Sequence, residues 1–258
     1  MRAPTLTAKR ASLVSFEDVE VVYPGRGLAL GPVSLSIAPG EILALVGPSG
    51  GGKSTALRLL AGLEQPTRGE VRRTTRRGET AVVFQAPTLA PWLSAQANVA
   101  LPLELGGMAK REAYDRAAEA LARVGLAGTE RMRPAALSGG MAMRVSLARA
   151  MVTEPRLLLL DEPFAALDEI TRRTLADDVL ALWEVSKPAI VFVTHNVEEA
   201  AYMASRVAVL TRGPGRIAGI AQIDAPLPRP AGFRTQDVFR EAAEEVSGLL
   251  ALGMQAAA

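Results

Sequence analysis

Lys53 and Ser54 directly follow three glycines, Gly50, Gly51 and Gly52, with Gly47, Pro48 and Ser49 just ahead. Gly47, Gly52, Lys53 and Ser54 satisfy the spacing G-x-x-x-x-G-K-[ST]. In such a loop successive backbone N–H groups curl around an anion, and the glycines permit the tight path. Lys53 would reach the terminal phosphates of a nucleotide. Ser54 would hold Mg²⁺ through its hydroxyl, with Thr55 beside it. A second constellation, Asp161-Glu162, closes the apolar run RLLLLD. A carboxylate at a strand end can meet a magnesium shell, and its neighbour can orient or deprotonate a water. The chain's one histidine, His195, ends another apolar run, AIVFVTH. There it can hydrogen-bond a terminal phosphate or an attacking water, whereas alone it cannot build a zinc site. These groups predict nucleotide hydrolysis. No second catalytic constellation says what the energy is used for.

The elements that must position these groups are readable around them. ILALV, residues 42–46, reads as a buried strand, and STALRLLAGL after the glycines reads as a helix. Strand, glycine loop and helix in that order are the context a P-loop requires, and the helix adds its positive end. Residues 14–23 and 29–37 have strand character, with a turn at 38–41. Residues 81–84 make a further buried strand. RLLLLD and AIVFVTH are apolar without alternation, as central parallel strands are. Residues 109–124 predict an amphipathic helix with Tyr114, Ala117, Leu121 and Val124 on one face. Residues 171–184 and 197–204 are further helix candidates. Residues 64–80 read as a turn-rich basic stretch, and the tail after about residue 225 as Pro-rich and then helical. No internal repeat is present, so there is one nucleotide unit.

Composition bounds the rest. The 258 residues suit one domain with a subdomain, and 49% apolar residues allow a substantial core. The formal net charge of +2 is too small to imply nucleic acid or an anionic surface. The absence of cysteine excludes disulfides, thiolate metal sites and a cysteine nucleophile. Residues 1–12 predict a loose basic leader rather than a secretory signal. No stretch approaches the ~18 apolar residues of a membrane span, so any membrane role needs a spanning partner.

A third motif makes the pattern specific. ALSGGM at residues 136–141 carries Ser138, Gly139 and Gly140 in an LSGGQ-like arrangement, a second anion cradle at a helix start. With the first two motifs it makes the chain resemble the ATP-binding subunit of an ABC transporter over nearly its whole length. The resemblance implies an α/β fold. A P-loop NTPase core would have a parallel-strand-rich sheet, with an antiparallel β subdomain and a helical, signature-bearing subdomain. The cassette would span 1–225, with the helical subdomain at about 88–152 and a packing tail at 226–258. It also implies ATP and Mg²⁺. Two chains would pack head to tail, so that Ser138, Gly139 and Gly140 close on ATP held by the opposite subunit. Glu162 would be the catalytic carboxylate, His195 the switch histidine, and Lys53 a stabiliser of developing charge. Gln85 would touch magnesium or water and link to the membrane partner, completing a metal set of Ser54, Gln85 and Asp161. Ala166-Leu167-Asp168 would lie at the dimer seam, and Tyr23 would stack on adenine. Met141 departs from the pattern by standing where the signature usually has glutamine. That puts contacts near the ribose and the dimer kinetics in question.

Residues 89–105 and the DEITR stretch at 168–172 resemble importers of the nitrate, sulfonate and taurine group. That resemblance implies a peripheral subunit on the cytoplasmic face of the inner membrane. It would be docked on permease subunits and served indirectly by a periplasmic solute-binding protein, with no nucleic acid. Two other readings stay open. One is a soluble ABC ATPase acting on nucleic acid or the ribosome, with RRTTRR at 72–77 as its contact surface. The other is an ATP-binding regulatory subunit without turnover, for which Met141 is the only support.

Overall fold

The structure is a computed structural model and describes residues 12–25 and 27–255. The leader expected at 1–12 lies outside these residues, Ser12 apart. Two sheets and a set of helices make up the described chain. β1 (Val14–Tyr23), β2 (Gly27–Ile37) and β4 (Arg68–Arg73) form an antiparallel sheet in the order β2-β1-β4. The second sheet has six strands: β3 (Ile42–Val46), β5 (Thr80–Val83), β6 (Leu157–Asp161), β7 (Ala189–Thr194), β8 (Arg206–Leu210) and β9 (Ile217–Gln222). Their order is β5-β6-β7-β3-β8-β9, parallel throughout except for β9, which runs antiparallel to β8.

The apolar runs lack alternation because both faces of the larger sheet are covered. In β3, Ile42, Ala44 and Val46 join one core and Leu43 and Leu45 the other. In β6, Leu158 and Leu160 divide from Leu157 and Leu159 in the same way. The smaller core holds Leu57, Leu59 and Leu60 of helix α1 (Lys53–Ala61) between the two sheets. The larger core takes in helices α2 (Ala95–Leu105), α3 (Lys110–Arg123), α4 (Gly139–Met151), α5 (Glu169–Ser186) and α6 (Val197–Met203). Helix α7 (Asp237–Gln255) adds Phe239, Ala242 and Val246 to the same core and packs on β8, β9 and α6. Among the described residues no helix is long and apolar enough to cross a membrane.

The structure corrects the reading of residues 64–80, which contain β4. This is an edge strand with mostly exposed residues, and Val71 is its one side chain packed against the core. Its arginines are engaged. Arg72 pairs with Glu17 and Glu70, and the Arg73 guanidinium donates to the Leu59 carbonyl. The alternation that marks a half-buried strand is therefore missing from the sequence. α2, β8 and β9 also had no assignment from the sequence. α2 carries Pro102 in its interior, which obscures a helical pattern.

Candidate active site

Three parallel strands end at one edge of the larger sheet, and each delivers part of the site. β3 leads into the glycine loop, β6 ends in Asp161, and His195 follows β7. This is the carboxyl end of the strands, where open α/β sheets place their ligands. The loop is tight because its back is packed. A Cβ on Gly47 would lie 2.9 Å from the Leu210 carbonyl oxygen, and one on Gly51 would lie 2.8 Å from that of Thr211. Gly52 occupies the N-cap of α1 with φ +79° and has no side chain to bond the first-turn N–H groups. Those uncapped donors and the helix dipole suit an anion.

Lys53 is 7% exposed, and its Nζ donates to the carbonyls of Gly47 (2.8 Å) and Pro48 (3.1 Å). Its cation therefore lies inside the loop. Burial holds the ammonium below its ordinary range, while the charges of Glu162 and Asp161 push it back up. Burial and the neighbouring Glu162 raise the Asp161 carboxyl, and Lys53 and Arg58 oppose them. Two carboxylates and one lysine thus share a partly dehydrated corner. Among the described residues no cluster of three or more His, Cys, Asp or Glu side chains makes a metal cage. Asp161 and the exposed Ser54 hydroxyl are hard oxygen donors, the type that fits a magnesium ion shared with substrate phosphates.

Glu162 is a non-glycine residue at φ +46°, and its N–H donates to the Val193 carbonyl on the adjacent strand (3.1 Å). A left-handed conformation of this kind costs on the order of 1 kcal/mol or more, and it persists where the surroundings dictate it. Here the β7 carbonyl holds the Glu162 N–H. The Glu162 carboxylate faces His195, whose Nδ1 lies 3.7 Å from Oε2. The imidazole itself is 66% exposed and open to a ligand. Tyr23, at the end of β1, places its hydroxyl 3.3 Å from Thr55 Oγ1 and accepts from Arg58 Nη2 at 3.0 Å. Its half-buried ring therefore sits beside the first turn of α1. Gln85 lies just past β5 and is exposed.

The structure thus gathers Tyr23, residues 47–55, Asp161, Glu162 and His195. Ser138, Gly139 and Gly140 stand apart. Ser138 caps α4, its Oγ accepting from the Met141 N–H (3.2 Å), and a Cβ on Gly140 would meet Thr171 Cγ2 at 2.7 Å. Among the described residues no hydrogen bond or ion pair joins this corner to the glycine loop.

A family model described as ABC transporter matches residues 30–165. The chain belongs to the ABC transporter family. Its ATP-binding cassette is 47% identical over 238 residues to the aliphatic sulfonates import ATP-binding protein SsuB of Granulibacter bethesdensis, covering 92% of this chain and 94% of that protein. The taurine import ATP-binding protein TauB of Sinorhizobium fredii is 39% identical, over 93% of this chain and 96% of its own. Among solved structures, a dimeric ATP-binding cassette in a post-hydrolysis state with ADP and Pi superposes with a TM-score of 0.72 at 32% identity. It covers 83% of this chain and 100% of that one. The cassette is an ATP hydrolase of the ABC class.

Reasoning from the sequence missed Arg149. From α4 it donates to the carbonyls of Pro87 (3.0 Å) and Thr88 (2.9 Å) and to Thr88 Oγ1 (3.0 Å). It fastens the segment after Gln85, where Thr88 has φ +48°, to the helix that starts at the signature. Its partners lie about sixty residues away, so no local pattern announces them. Met141 is half-buried against the larger core.

Proposed function

We propose that this cassette powers an importer for small solutes of the nitrate, sulfonate and taurine type, working as a pair of copies on membrane permease subunits. The observation that carries the hydrolytic part is the Glu162 carboxylate, which faces His195 beside Asp161 and Lys53 while its backbone is bonded to β7. The likeness over nearly full length to importer ATP-binding proteins supports the transport part. Exposed apolar side chains support a protein partner. Leu105 lines a groove of about 430 Å³ with Thr80, Ala81, Leu101, Pro102 and Arg149. Phe84 directly follows β5, and Trp92, 73% exposed, precedes α2.

Residues 47–52 and the uncapped start of α1 bind the phosphates of ATP, and Lys53 sets its cation among them. Ser54, Gln85 and Asp161 would hold Mg²⁺, which neutralises phosphate charge when bound. Tyr23 offers its ring to the base. Glu162 accepts a proton from, or orients, the attacking water, and His195 donates toward the terminal phosphate. Ser54 and His195 leave the site exposed on one side. A second copy covers it through Ser138, Gly139 and Gly140, excluding water and adding donors near the transferred group. ATP then favours the closed pair and ADP the open one, which is a population shift by differential affinity. The cassette works on the cytoplasmic face of the inner membrane, and a periplasmic solute-binding protein feeds the permease.

Measuring Mg-ATP hydrolysis by the purified chain against protein concentration tests this reading. Specific activity should rise with concentration, and Glu162→Gln should bind ATP without turning it over. Turnover retained by that variant would remove Glu162 from the mechanism. Within the basic stretch at 72–77, Arg72 and Arg73 are bonded within the chain while Arg76 and Arg77 stay exposed, so the likeness to import ATP-binding proteins over nearly the whole chain, rather than the arginines, favours transport over nucleic acid.

A further inference from the structure

Beside His195 lies a half-buried charge pair that the proposed chemistry does not use. Arg172, in the first turn of α5, donates from Nη2 to the Leu167 carbonyl at 3.1 Å. Its Nε lies 3.5 Å from Glu199 Oε1. That N–H has no aligned acceptor, so the contact with Glu199 is one of charge rather than a hydrogen bond. Glu199 lies on α6 with only 11% of its side chain exposed, against 26% for Arg172. Its second oxygen accepts from Thr194 Oγ1, the hydroxyl of the residue before His195. The same Oγ1 accepts from the N–H of Asn196, the residue after His195, at 3.0 Å. Asn196 in turn caps α6 through the N–H groups of Glu198 and Glu199. His195 is therefore flanked by two residues whose polar groups both trace to Glu199.

The other end of the pair reaches the Glu162 loop. Ala165 N–H donates to the Glu162 carbonyl and Leu167 N–H to that of Phe164, so residues 162–167 form successive tight turns. Glu162 is fixed to β7 at one end of them, and Leu167 is fixed to Arg172 at the other. A closed circuit results: Glu162, its loop, Leu167, Arg172, Glu199, Thr194, His195, and back to Glu162 across 3.7 Å. Every link but the last is covalent chain, a hydrogen bond or a charge contact. The last link is a 3.7 Å approach, longer than a hydrogen bond, between two side chains that both face the nucleotide corner.

The geometry points to Arg172 and Glu199 as a positioning pair that fixes His195 against Glu162 by tying the 162–167 loop to the corner between β7 and α6. The inference rests on the hydrolytic reading of Glu162 and His195. Neither Arg172 nor Glu199 touches the nucleotide site, so their removal acts on placement. Glu199 is more buried than a surface partner, and removing Arg172 leaves an uncompensated charge beside the histidine strand.

His195 is the chain's only histidine, so its imidazole C–H resonance is a unique reporter in the untagged full-length protein. Arg172→Met, Glu199→Gln and the double variant would be compared by NMR and by steady-state Mg-ATP hydrolysis. Each single variant should move the His195 resonance and lower kcat about tenfold or more, with KM for ATP within about twofold. The double variant should be no worse than either single, because the two residues act as one unit. Glu199→Gln keeps the size and the Thr194 acceptor, so it remains informative if Arg172→Met fails to fold. An unmoved resonance overturns the proposal, and so does a rise in KM at unchanged kcat, or losses that multiply in the double variant. His195→Ala separates the two layers. If it turns over like wild type, the role of the histidine falls and the pair's catalytic purpose falls with it. If it is inactive while the pair variants match wild type, only the pair is refuted.

Discussion

The chain carries two glycine-rich anion corners, and they are built in opposite ways. The P-loop corner is assembled from three strand ends, encloses a buried lysine and gathers its carboxylates from the end of β6, two strands away from β3. The signature corner is an exposed helix start. Ser138 and Gly139 face outward, and the corner's own hydrogen bonds serve only to cap α4. Ser138 spends a lone pair on the Met141 N–H and keeps its hydroxyl hydrogen free to donate. A site complete in charge but open on one side, and a donor set with nothing on its own chain to bind, are complementary halves. The contrast supports the proposal that the catalytic unit is a pair of chains, and each half can be broken separately.

The largest effect belongs to the enclosed corner. Glu162→Gln should lower turnover by about 10²–10⁴-fold while ATP binding survives, read by single-turnover hydrolysis and by nucleotide titration. Loss of binding together with turnover would assign Glu162 to the cradle instead. At the signature corner, capping and phosphate donation separate. Ser138→Ala should lose turnover and also helix stability, by ~1 kcal/mol. Ser138→Asn restores the cap and the melting temperature without the hydroxyl, so turnover should stay low. Recovery of turnover in the asparagine variant would reduce Ser138 to a cap.

Stability should move the other way at Asp161. Its folded carboxyl is held above the ordinary range by burial and by Glu162. The fold therefore disfavours the ionised form, and that part of the stability is present at low pH and lost as pH rises through the folded value. Asp161→Asn should raise the thermal midpoint of the nucleotide-free chain at pH 7, with the gain shrinking toward pH 4, while abolishing hydrolysis. A midpoint that falls at pH 7 would mean that the lysine pairing outweighs burial. The smallest effect is steric. Gly140→Ala pushes a methyl group onto Thr171 Cγ2 and should destabilise by roughly 1 kcal/mol. Adding Thr171→Ser removes that carbon, keeps the hydroxyl bonded to Asp168, and should recover the loss in a melting curve.

How far each corner could be read from the sequence follows from how local it is. The central strands showed themselves because both of their faces are buried, so ILALV, RLLLLD and AIVFVTH are unbroken apolar runs. The P-loop and Asp161-Glu162 were readable as contiguous residue patterns at strand ends. β4 was hidden because an edge strand of paired arginines looks like a solvated turn. The left-handed turn at Glu162 is bonded to a carbonyl on β7, a distant element, and leaves no mark in the sequence around it. The contacts of Arg149 and the Arg172–Glu199 pair were invisible for a related reason. Pro87 and Thr88 for Arg149, and α6 for Arg172, lie on other elements, and the helix sequence carries no sign of what its arginines reach beyond it. Met141 was readable as a departure from the signature, but that its side chain is half-buried against the core was not.

The central claim is that one chain's signature completes the other's P-loop. Light scattering on the Glu162→Gln variant, with and without Mg-ATP, tests it most directly, alongside the same variant carrying Ser138→Arg. The account predicts that ATP doubles the mass of the first protein and leaves the second monomeric while it still binds nucleotide. Equal ATP-driven dimerisation of both, or none in either at high concentration, would contradict it.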